Sequence, residues 1–423
     1  MFSLRIALSG AACVCLYAAG HASALPLDRA SPAVRDRIHA LWADNPAIQA
    51  ADAQRRAAEA RVRAAAQPVY NPTLSLEGEN ADVDRRTASA SLSLDLSDKR
   101  GARVDESEAA LRVSEAAYAL RRRDIAAEWL KAWASAELAR RQRSLGEERV
   151  VAMTRFDHLA ADRLRVGDIS APERDLAAQA LAEARIEQAA IEGQLAAALA
   201  SLTAIGGERD DGQAAGWPAL PEALPASPDR IDAQALDDRL ELRQARAEQQ
   251  RLDAAVTVAR RARLSDPTIS LTGGRVRTGS RSDPVIGISV SMPLPVRNTG
   301  RADVLAAQAE ADAALADRQA TAWKAEATLR QTAMTYRALR STAETLRKAR
   351  TGALGERAAL LERLWQAGEL DTSDYLVQLK QNLDTALSTL TLEAQTWQAW
   401  FDYLAAAGRL PEWIDGPATD ATP

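Results

Sequence analysis

The sequence has almost no cysteine and very little histidine, which limits the chemistry that the protein can carry. Both cysteines, Cys13 and Cys15, lie near the N-terminus, and only His39 and His158 follow residue 24. No H-x-x-H motif, cysteine pair or methionine cluster offers metal-ligand spacing. No Ser/His/Asp arrangement for nucleophilic catalysis stands out either. We therefore predict that the protein is not an enzyme and that it holds no cofactor and no metal ion.

Aromatic residues are also scarce, and charges of the two signs nearly balance. Aromatic residues make up 4% of the chain, and the formal net charge is only −5, with acids and bases interspersed. Without a basic stripe, nucleic acid is not an expected partner. Alanine supplies much of the apolar content, and together with arginine and glutamate it favours helix. The composition therefore predicts a mainly α-helical protein whose small side chains allow closely spaced helices.

The N-terminus has the features of a secretory signal peptide over residues 1–24. Arg5 provides a positive start, an apolar run covers residues 6–19, and Ala22-Ser23-Ala24 is an A-x-A cleavage site. The apolar run is too short to span a bilayer, which argues against the alternative of a membrane anchor. Neither cysteine has a leucine three positions before it, so lipidation is not expected. The exported chain would carry no thiol.

The exported chain contains an internal duplication with a period of about half its length. Four segment pairs occur in the same order: NPTLSLEG with DPTISLTG, DKRGARV with RNTGRADV, LRVGDISAPERDLAAQALAEA with WQAGELDTSDYLVQLKQNLDTA, and AIGG with AAGR. We predict a first repeat over residues 25–205 and a second over 235–409. A Gly/Pro-rich linker over 206–234 joins them, and a frayed tail covers 410–423.

Each repeat predicts a helix, two strands, a long helix, a glycine turn and a shorter helix. The strands are expected at residues 73–79, 87–96, 268–276 and 285–294, and the long helices at 101–164 and 300–365. The first helices are expected at 45–66 and 235–264, and the shorter helices of a repeat could lie end to end along its long helix. A seven-residue period in both long helices indicates supercoiled side-by-side packing. The period is set by Val104, Leu111, Tyr118, Ile125, Ala132, Ala139, Gly146, Met153 and Ala160, and by Leu315, Ala322, Leu329, Tyr336 and Ala343.

The second strand of each repeat alternates apolar residues with small or polar ones. Ala88, Ala90, Leu92 and Leu94 share one face, and serines fill the other. The alternation fits a transmembrane β-barrel strand with its apolar side outward, and it fits a small sheet on a soluble domain equally well. No segment after the signal was found with the twenty apolar residues of a membrane helix, so the signal peptide and the long helices favour the barrel. Four strands cannot close a barrel, whereas three chains would supply twelve.

At this point the sequence resembles a known family, the TolC-like outer-membrane factors, which are the exit ducts of tripartite efflux and secretion systems. The resemblance rests on the duplicated order of elements, on PLPVRNTG with its counterpart LSDKRG, and on the paired turns RVGDISAPERDLAAQA and QAGELDTSDYLVQL. MPLPVRNTG further resembles the branch that serves exporters of the cobalt–zinc–cadmium type. The resemblance implies a homotrimer in which an α-helical barrel in the periplasm continues into a 12-stranded β-barrel in the outer membrane of a Gram-negative bacterium.

The two glycine turns carry the candidate site residues. A glycine ends one helix, and a capping-box pattern at Ser170–Glu173, imitated at Asp371–Asp374, begins the next. These residues could simply cap helices. The resemblance implies that they also form the periplasmic tip, which contacts an adaptor and gates the channel, with Asp374 on a ring position. The candidate tip residues are Val166, Gly167, Asp168, Ser170, Glu173, Gly368, Glu369, Asp371, Asp374 and Val377.

The strand-to-helix junctions form a second candidate region, where the chain would pass from the membrane into the periplasm. The junction residues are Lys99, Arg100, Gly101, Pro293, Pro295, Asn298 and Gly300. The loops ADVDRR and TGSRSD at the far ends of the strands would face outside the cell. Trp129, Trp133, Trp397, Trp400 and Phe401 are expected to be packing residues rather than a ligand site.

The resulting hypothesis is a duct that conducts passively, with outer-membrane lipid around it. Its partners would be a periplasmic adaptor (membrane fusion) protein and an inner-membrane pump of the resistance-nodulation-division type, which supplies the energy. Heavy-metal cations are the expected cargo, and multidrug efflux or type I secretion are alternatives within the same fold. An alternative of another class is an exported periplasmic coiled-coil scaffold.

Overall fold

A computed structural model describes residues 29–80, 82–206, 220–221, 223–227, 239–350 and 354–416. The predicted signal peptide and most of the predicted linker lie outside these residues. The described chain is mainly helical with one small sheet. Its elements are α1 (Pro32–Asp44), α2 (Pro46–Ala65), β1 (Thr73–Glu79), β2 (Val83–Ser93), α3 (Lys99–Arg165), α4 (Ala171–Gly206), α5 (Leu240–Ala262), β3 (Thr268–Thr278), β4 (Arg281–Ser291), α6 (Arg301–Arg350), α7 (Leu354–Gln366), α8 (Thr372–Ala406) and α9 (Leu410–Asp415).

The long helix α3 is the axis on which the other helices pack. Helices α2, α4, α5 and α8 all contact α3, and α5 and α8 also contact α6. Of the expected seven-residue seam in α3, the residues from Ile125 to Ala160 are buried and the first three are half-buried. Two apolar clusters result, a large one around Trp129 and Trp397 and a smaller one around Trp365.

The seam expected in the second long helix is wrong at its start. Leu315 is 46% exposed, and Ala311 and Ala314 are buried instead, whereas Leu329 and Tyr336 are buried as expected. A straight α-helix drifts by about 20° per seven residues relative to a strict heptad, so the buried stripe does not follow one heptad position along α6. The expected single helix over 300–365 corresponds to α6 and α7, and residues 351–353 between them lie outside the described part.

The C-terminal segment is not simply a frayed tail. Residues Leu410–Asp415 form α9, in which Trp413 and Ile414 are buried. The Trp413 ring meets Phe401 edge-on with ring centroids 5.6 Å apart. Its carbonyl oxygen accepts a hydrogen bond from the Ala30 N–H at 2.9 Å. Apolar burial therefore orders the first part of the predicted tail, and residues 417–423 lie outside the described part.

The four strands form one antiparallel sheet in the order β1-β2-β3-β4. The hairpins extend further than expected, since β2 begins at Val83 and β3 and β4 leave only Gly279 and Ser280 between them. Strand β4 ends at Ser291 rather than 294, because Pro293 and Pro295 have no N–H for the ladder. Within the described residues β1 and β4 are unpaired edges, and the apolar face is open, with exposed fractions of 84% for Ile286 and 79% for Leu76.

Helix α4 is an exception to the expectation that no segment after the signal is apolar enough to cross a membrane. Among the described helices it alone passes by length and composition, and only 17% of its most apolar window is buried. A helix that packs on α3 along one side leaves apolar residues such as Ile186 (71% exposed) mostly open to solvent in this chain. The helix therefore presents an apolar face to which something else can pack.

Candidate functional site: the helix–helix turns and the strand–helix junctions

The first turn joins α3 to α4 through a left-handed glycine. Gly167 has a φ of +79°, which costs little without a Cβ. Its N–H donates to the Leu164 carbonyl at 3.0 Å, and the Asp168 N–H donates to the Arg163 carbonyl at 2.9 Å, so the last carbonyls of α3 are satisfied. The Glu173 carboxylate then accepts hydrogen bonds from the Ser170 N–H at 2.7 Å and from its hydroxyl at 2.6 Å.

The second turn, between α7 and α8, repeats the arrangement with one difference. Gly368 has a φ of +73°, and its N–H donates to the Trp365 carbonyl at 3.1 Å. The cap of α8 is Asp371, whose carboxylate accepts from the Thr372 N–H at 2.7 Å and from the Ser373 hydroxyl at 2.8 Å. The expected imitation of the capping box is therefore wrong for Asp374, because Asp371 caps the helix by itself. The exposed Asp374 carboxylate makes no hydrogen bond or ion pair within the described residues.

Arg163 joins the two turns. Its guanidinium lies over the Trp365 ring, 4.6 Å from the centroid, and donates to the Trp365 carbonyl at 3.1 Å. On the other side it pairs with Asp168 at 3.2 Å. A cation at the C-terminal end of α7 also complements the helix dipole. The candidate tip residues of the two repeats are thus brought to one end of the molecule.

A cluster of three aromatic rings lies beneath the turns. Phe156, Trp365 and Tyr375 lie with ring centroids 5.0 to 5.2 Å apart. Burial raises the pKa of the Tyr375 hydroxyl to about 12, so this phenol is neutral at physiological pH. The Trp365 indole N–H donates to the Thr372 hydroxyl at 3.2 Å. The three rings therefore pack α3, α7 and α8 against one another beneath the turns.

A buried arginine further along α3 ties three helices together. Arg149 is 4% exposed and pairs with Glu187 on α4 and, at 2.9 Å, with Asp384 on α8. Lys380 and Glu183 make a second link between α8 and α4 at 2.6 Å. Sequence reasoning missed Arg149, and the only signal was a basic residue at a position that the helical period marks as buried.

The first strand–helix junction is built around Asp266. Its carboxylate, 3% exposed, lies 2.8 Å from Lys99 Nζ and accepts from the Tyr70 hydroxyl at 2.7 Å and from the Ser97 hydroxyl at 3.3 Å. Asp95 accepts from the N–H groups of Lys99 and Arg100, both at 2.8 Å. The expected junction residues of the first repeat thus meet a residue of the second, which sequence reasoning had not singled out.

The second junction has no ion pair of this kind. The Gly300 N–H donates to Asn298 Oδ1 at 3.0 Å, and Arg263 donates to the Thr299 carbonyl at 2.9 Å. Pro293, Pro295, Asn298 and Gly300 line an open pocket together with Lys99 and Asp266. On the first side, the Gly101 N–H donates to the Asp98 carboxylate at 3.2 Å. Both junctions therefore border one recess at the base of the sheet.

The tryptophans of the large cluster pack as expected. Trp129 and Trp133 stack with centroids 6.0 Å apart, and Trp400 packs on Tyr336 at 4.9 Å. All are buried, as are Trp397 and Phe401. They belong to the core.

Comparison with known proteins gives a sequence match over part of the chain and a fold match over most of it. A sequence model of the family described as "Outer membrane efflux protein" matches residues 38–208, which include α2, β1, β2, α3 and α4. The crystal structure of the Campylobacter jejuni CmeC outer membrane channel superposes with a TM-score of 0.75 at 16% identity, and the match covers 89% of this chain and 86% of CmeC. This part of the chain is therefore similar in sequence to the outer membrane efflux protein family, and the chain has the fold of an outer-membrane channel.

Two relatives from metal resistance are similar in sequence. The cobalt-zinc-cadmium resistance protein CzcC of Cupriavidus metallidurans is 29% identical over 244 residues, which are 56% of this chain and 57% of CzcC. The nickel-cobalt-cadmium resistance protein NccC of Alcaligenes xylosoxydans xylosoxydans is 27% identical over 280 residues, 63% of this chain and 62% of NccC. The chain thus matches less than two thirds of the length of each relative. The resemblance seen in MPLPVRNTG agrees with this branch.

Proposed function

We propose that this chain is the outer-membrane exit duct of a tripartite efflux system and conducts its cargo passively to the outside of the cell. The observation that carries the proposal is the sheet, whose exposed apolar face and two unpaired edges are joined directly to helices of great length. Open strand edges are not tolerated in lipid, and a four-stranded sheet is too small to close on itself. Several copies of the chain must therefore complete a barrel.

Three copies would give twelve strands and the homotrimer that the family resemblance implies. Edge strand β4 of one copy would pair with edge strand β1 of the next. The unpacked apolar face of α4 supports the same arrangement, because a neighbouring helix pair would cover it. The helices of three copies would then enclose a periplasmic channel continuous with the barrel.

The internal duplication supplies the register of the proposed pairing between copies. Within the chain Ser93 lies opposite Thr268, and their hydroxyls are 2.7 Å apart. The strand alternation aligns Leu92 with Val290 and Leu94 with Met292, and NPT aligns with DPT, so the repeat equivalents of these two residues are Ser291 and Thr73. In a closed barrel Ser291 of one copy would therefore lie opposite Thr73 of the next, which continues the same ladder around the barrel.

The turns between α3 and α4 and between α7 and α8 would form the periplasmic tip. Their exposed side chains, including Val166 and Val377, are available for an adaptor protein linked to an inner-membrane pump of the resistance-nodulation-division type. Asp374 has no capping role. The three copies of Asp374 in a trimer would together place three carboxylates in a ring at the entrance. Charges of one sign held close repel, which favours opening or the capture of a counter-ion. Because this chain only conducts, no catalytic step is required of it.

Heavy-metal cations of the cobalt, zinc and cadmium type are the proposed cargo. The names of the two relatives support this choice, since both are resistance proteins for such metals. Multidrug efflux and type I secretion use ducts of the same architecture. A strain that lacks this chain should accumulate and become sensitive to these metals, and recover with the intact gene. Sensitivity to antibiotics instead would favour the multidrug alternative.

The assembly itself is tested by membrane fractionation and by gel migration with and without heating. An outer-membrane species of about three times the monomer mass before heating, and one monomer after it, is expected. A soluble periplasmic monomer or dimer would overturn the duct and favour a coiled-coil scaffold.

A further inference from the structure

Three arginines share the apolar face of the sheet at the end far from the helices. Arg86 on β2, and Arg275 and Arg277 on β3, lie on the same face as Ala88, Leu92, Ile269 and Leu271, as the alternation of the strands requires. All three are exposed. We call them the arginine belt.

The ladder places two of these cations directly opposite each other. Arg86 pairs with Arg275, and like charges opposite each other on an antiparallel pair are destabilising. On the same rung the neighbours are Gly78 on one side and Pro284 on the other, so no carboxylate on this rung offsets the repulsion.

The nearest acid on the same face does not neutralise the belt. Asp84 lies opposite Arg277 on the next rung, yet its Oδ1 makes no hydrogen bond in the described part of the chain. Arg277 instead donates to the Gly279 carbonyl at 3.2 Å. Neither the Arg86 nor the Arg275 side chain makes a hydrogen bond or an ion pair with any described residue. Three guanidinium groups therefore face outward with one carboxylate among them.

The position of the belt in the proposed barrel indicates its ligand. A transmembrane strand has about ten residues in the hydrocarbon, and the path from Leu96, which follows the end of β2, back to Arg86 on β2 has that length. The arginines would thus lie where the apolar band ends on the outer side. Lipid headgroups are found at that level, and guanidinium groups bind phosphate oxygens in a bidentate manner.

We propose that the arginine belt binds the phosphates of outer-leaflet lipid, which in a Gram-negative outer membrane is lipopolysaccharide. The inference rests on the proposed function, because it requires the barrel and its orientation. Three copies would present nine arginines around the barrel at one height. Phosphate bound between Arg86 and Arg275 removes the repulsion across the rung, so the lipid also stabilises the outer end of the sheet.

The test compares two double variants of the purified trimer. Arg86→Gln/Arg275→Gln removes the facing pair, and Arg85→Gln/Arg281→Gln removes two charges from the other face of the same hairpin ends. Native mass spectrometry measures the bound lipid, and heating measures the trimer dissociation midpoint. The probes are lipid A carrying its phosphates, the same lipid with the phosphates removed, and inorganic phosphate.

We expect phosphorylated lipid A to bind and to raise the dissociation midpoint of the wild-type trimer and of the Arg85/Arg281 variant. The Arg86/Arg275 variant should bind it about 100-fold more weakly, at about tenfold per charge-assisted contact. Equal binding by the two variants would overturn the proposal. Equal binding of dephosphorylated lipid, or the same stabilisation by inorganic phosphate alone, would do so as well.

The proposed function and this inference can fail separately. One outcome is that the wild type and both variants all run as heat-sensitive trimers that bind phosphorylated lipid A equally. That result would refute lipid binding by the arginine belt and leave the proposed duct function intact. If the Arg86/Arg275 variant does not assemble, the preference of the wild-type trimer for phosphorylated over dephosphorylated lipid decides the question by itself.

Discussion

The Lys99 ammonium lies 2.8 Å from the Asp266 carboxylate and thereby joins the start of α3 to the segment between α5 and β3. The two residues belong to different repeats and are far apart in sequence. Asp266 is the more buried partner, at 3% exposure against 17% for Lys99. The pair therefore ties the β-hairpin of the second repeat to the long helix of the first.

The substitution Asp266→Asn should destabilise the protein markedly. It leaves Lys99 charged and mostly buried without a counter-ion, and breaking a buried pair in this way costs about 3 kcal/mol. Urea unfolding followed by far-ultraviolet circular dichroism measures the change in free energy. Asp312→Asn, which removes an exposed carboxylate on α6, is the matched control and should change little. Equal stability of the two variants would show that the junction pair is structurally unimportant.

The same carboxylate predicts a loss of stability in acid. Burial acts to raise the pKa of Asp266, but hydrogen bonds from Lys99, Tyr70 and Ser97 outweigh it and hold the pKa below its usual value. A lowered pKa means a stabilisation that is complete above the unfolded pKa of about 3.9. It is lost as the pH falls through the folded pKa. Unfolding midpoints between pH 5 and pH 2 should therefore fall more steeply for the wild type than for Asp266→Asn, and parallel curves would contradict the prediction.

Cysteines at Thr73 and Ser291 should cross-link neighbouring copies. In the proposed register these residues are directly opposite, within the distance range that a disulfide needs. Oxidised membranes carrying Thr73→Cys/Ser291→Cys should show dimers and trimers on a non-reducing gel. Thr73→Cys/Ser289→Cys, two residues out of register, is the control and should cross-link far less. Ser93→Cys/Thr268→Cys should give only an intramolecular bond, and the same monomer pattern from the first pair would exclude the register.

Removal of the unpaired carboxylate at the proposed tip should increase leakage through the closed channel, because alanine is smaller and the counter-ion that the three carboxylates would capture is lost. Asp374→Ala takes away three charges from the proposed ring and leaves the Asp371 cap in place. Ion conductance of the trimer in planar bilayers, without adaptor, should rise severalfold. Glu369→Ala alters an exposed carboxylate of the same turn and serves for comparison. An unchanged conductance of the Asp374 variant would leave this residue without a gating role.

Local sequence signals predicted much of the fold. Strand β1 covers the residues expected of it, and the turns at Gly167 and Gly368 end their helices with the expected left-handed glycine, because turn chemistry depends on nearby residues. The features of the fold that the sequence did not predict depend on residues that are far apart in the chain. Nothing near Trp413 indicates that it would pack on Phe401, and the heptad count could not detect the drift that exposes Leu315.

The residues of the candidate site also fall into two groups, those that the sequence predicted and those that only the structure revealed. The candidate tip and junction residues were predicted from duplicated motifs, which are visible in sequence. Arg163 over Trp365, Arg149 beside Asp384 and Asp266 beside Lys99 are pairings between repeats, and only the folded chain brings them together. The capping box expected at Asp374 was wrong because one aspartate at position 371 already satisfies the helix start.

The asymmetry between the two junctions has a consequence for the order of assembly. The repeat equivalents of Asp266 and Lys99 are Asn71 and Asn298, and both asparagines are exposed in the single chain. If copies pair along β4 and β1, these neutral residues would meet across the boundary between subunits. The ion pair can then form while the subunit is still alone and holds its two hairpins in one sheet. At this junction the boundary that closes last brings no charge out of water, so a newly exported subunit would reach its partners already shaped and with no ion pair left to form there.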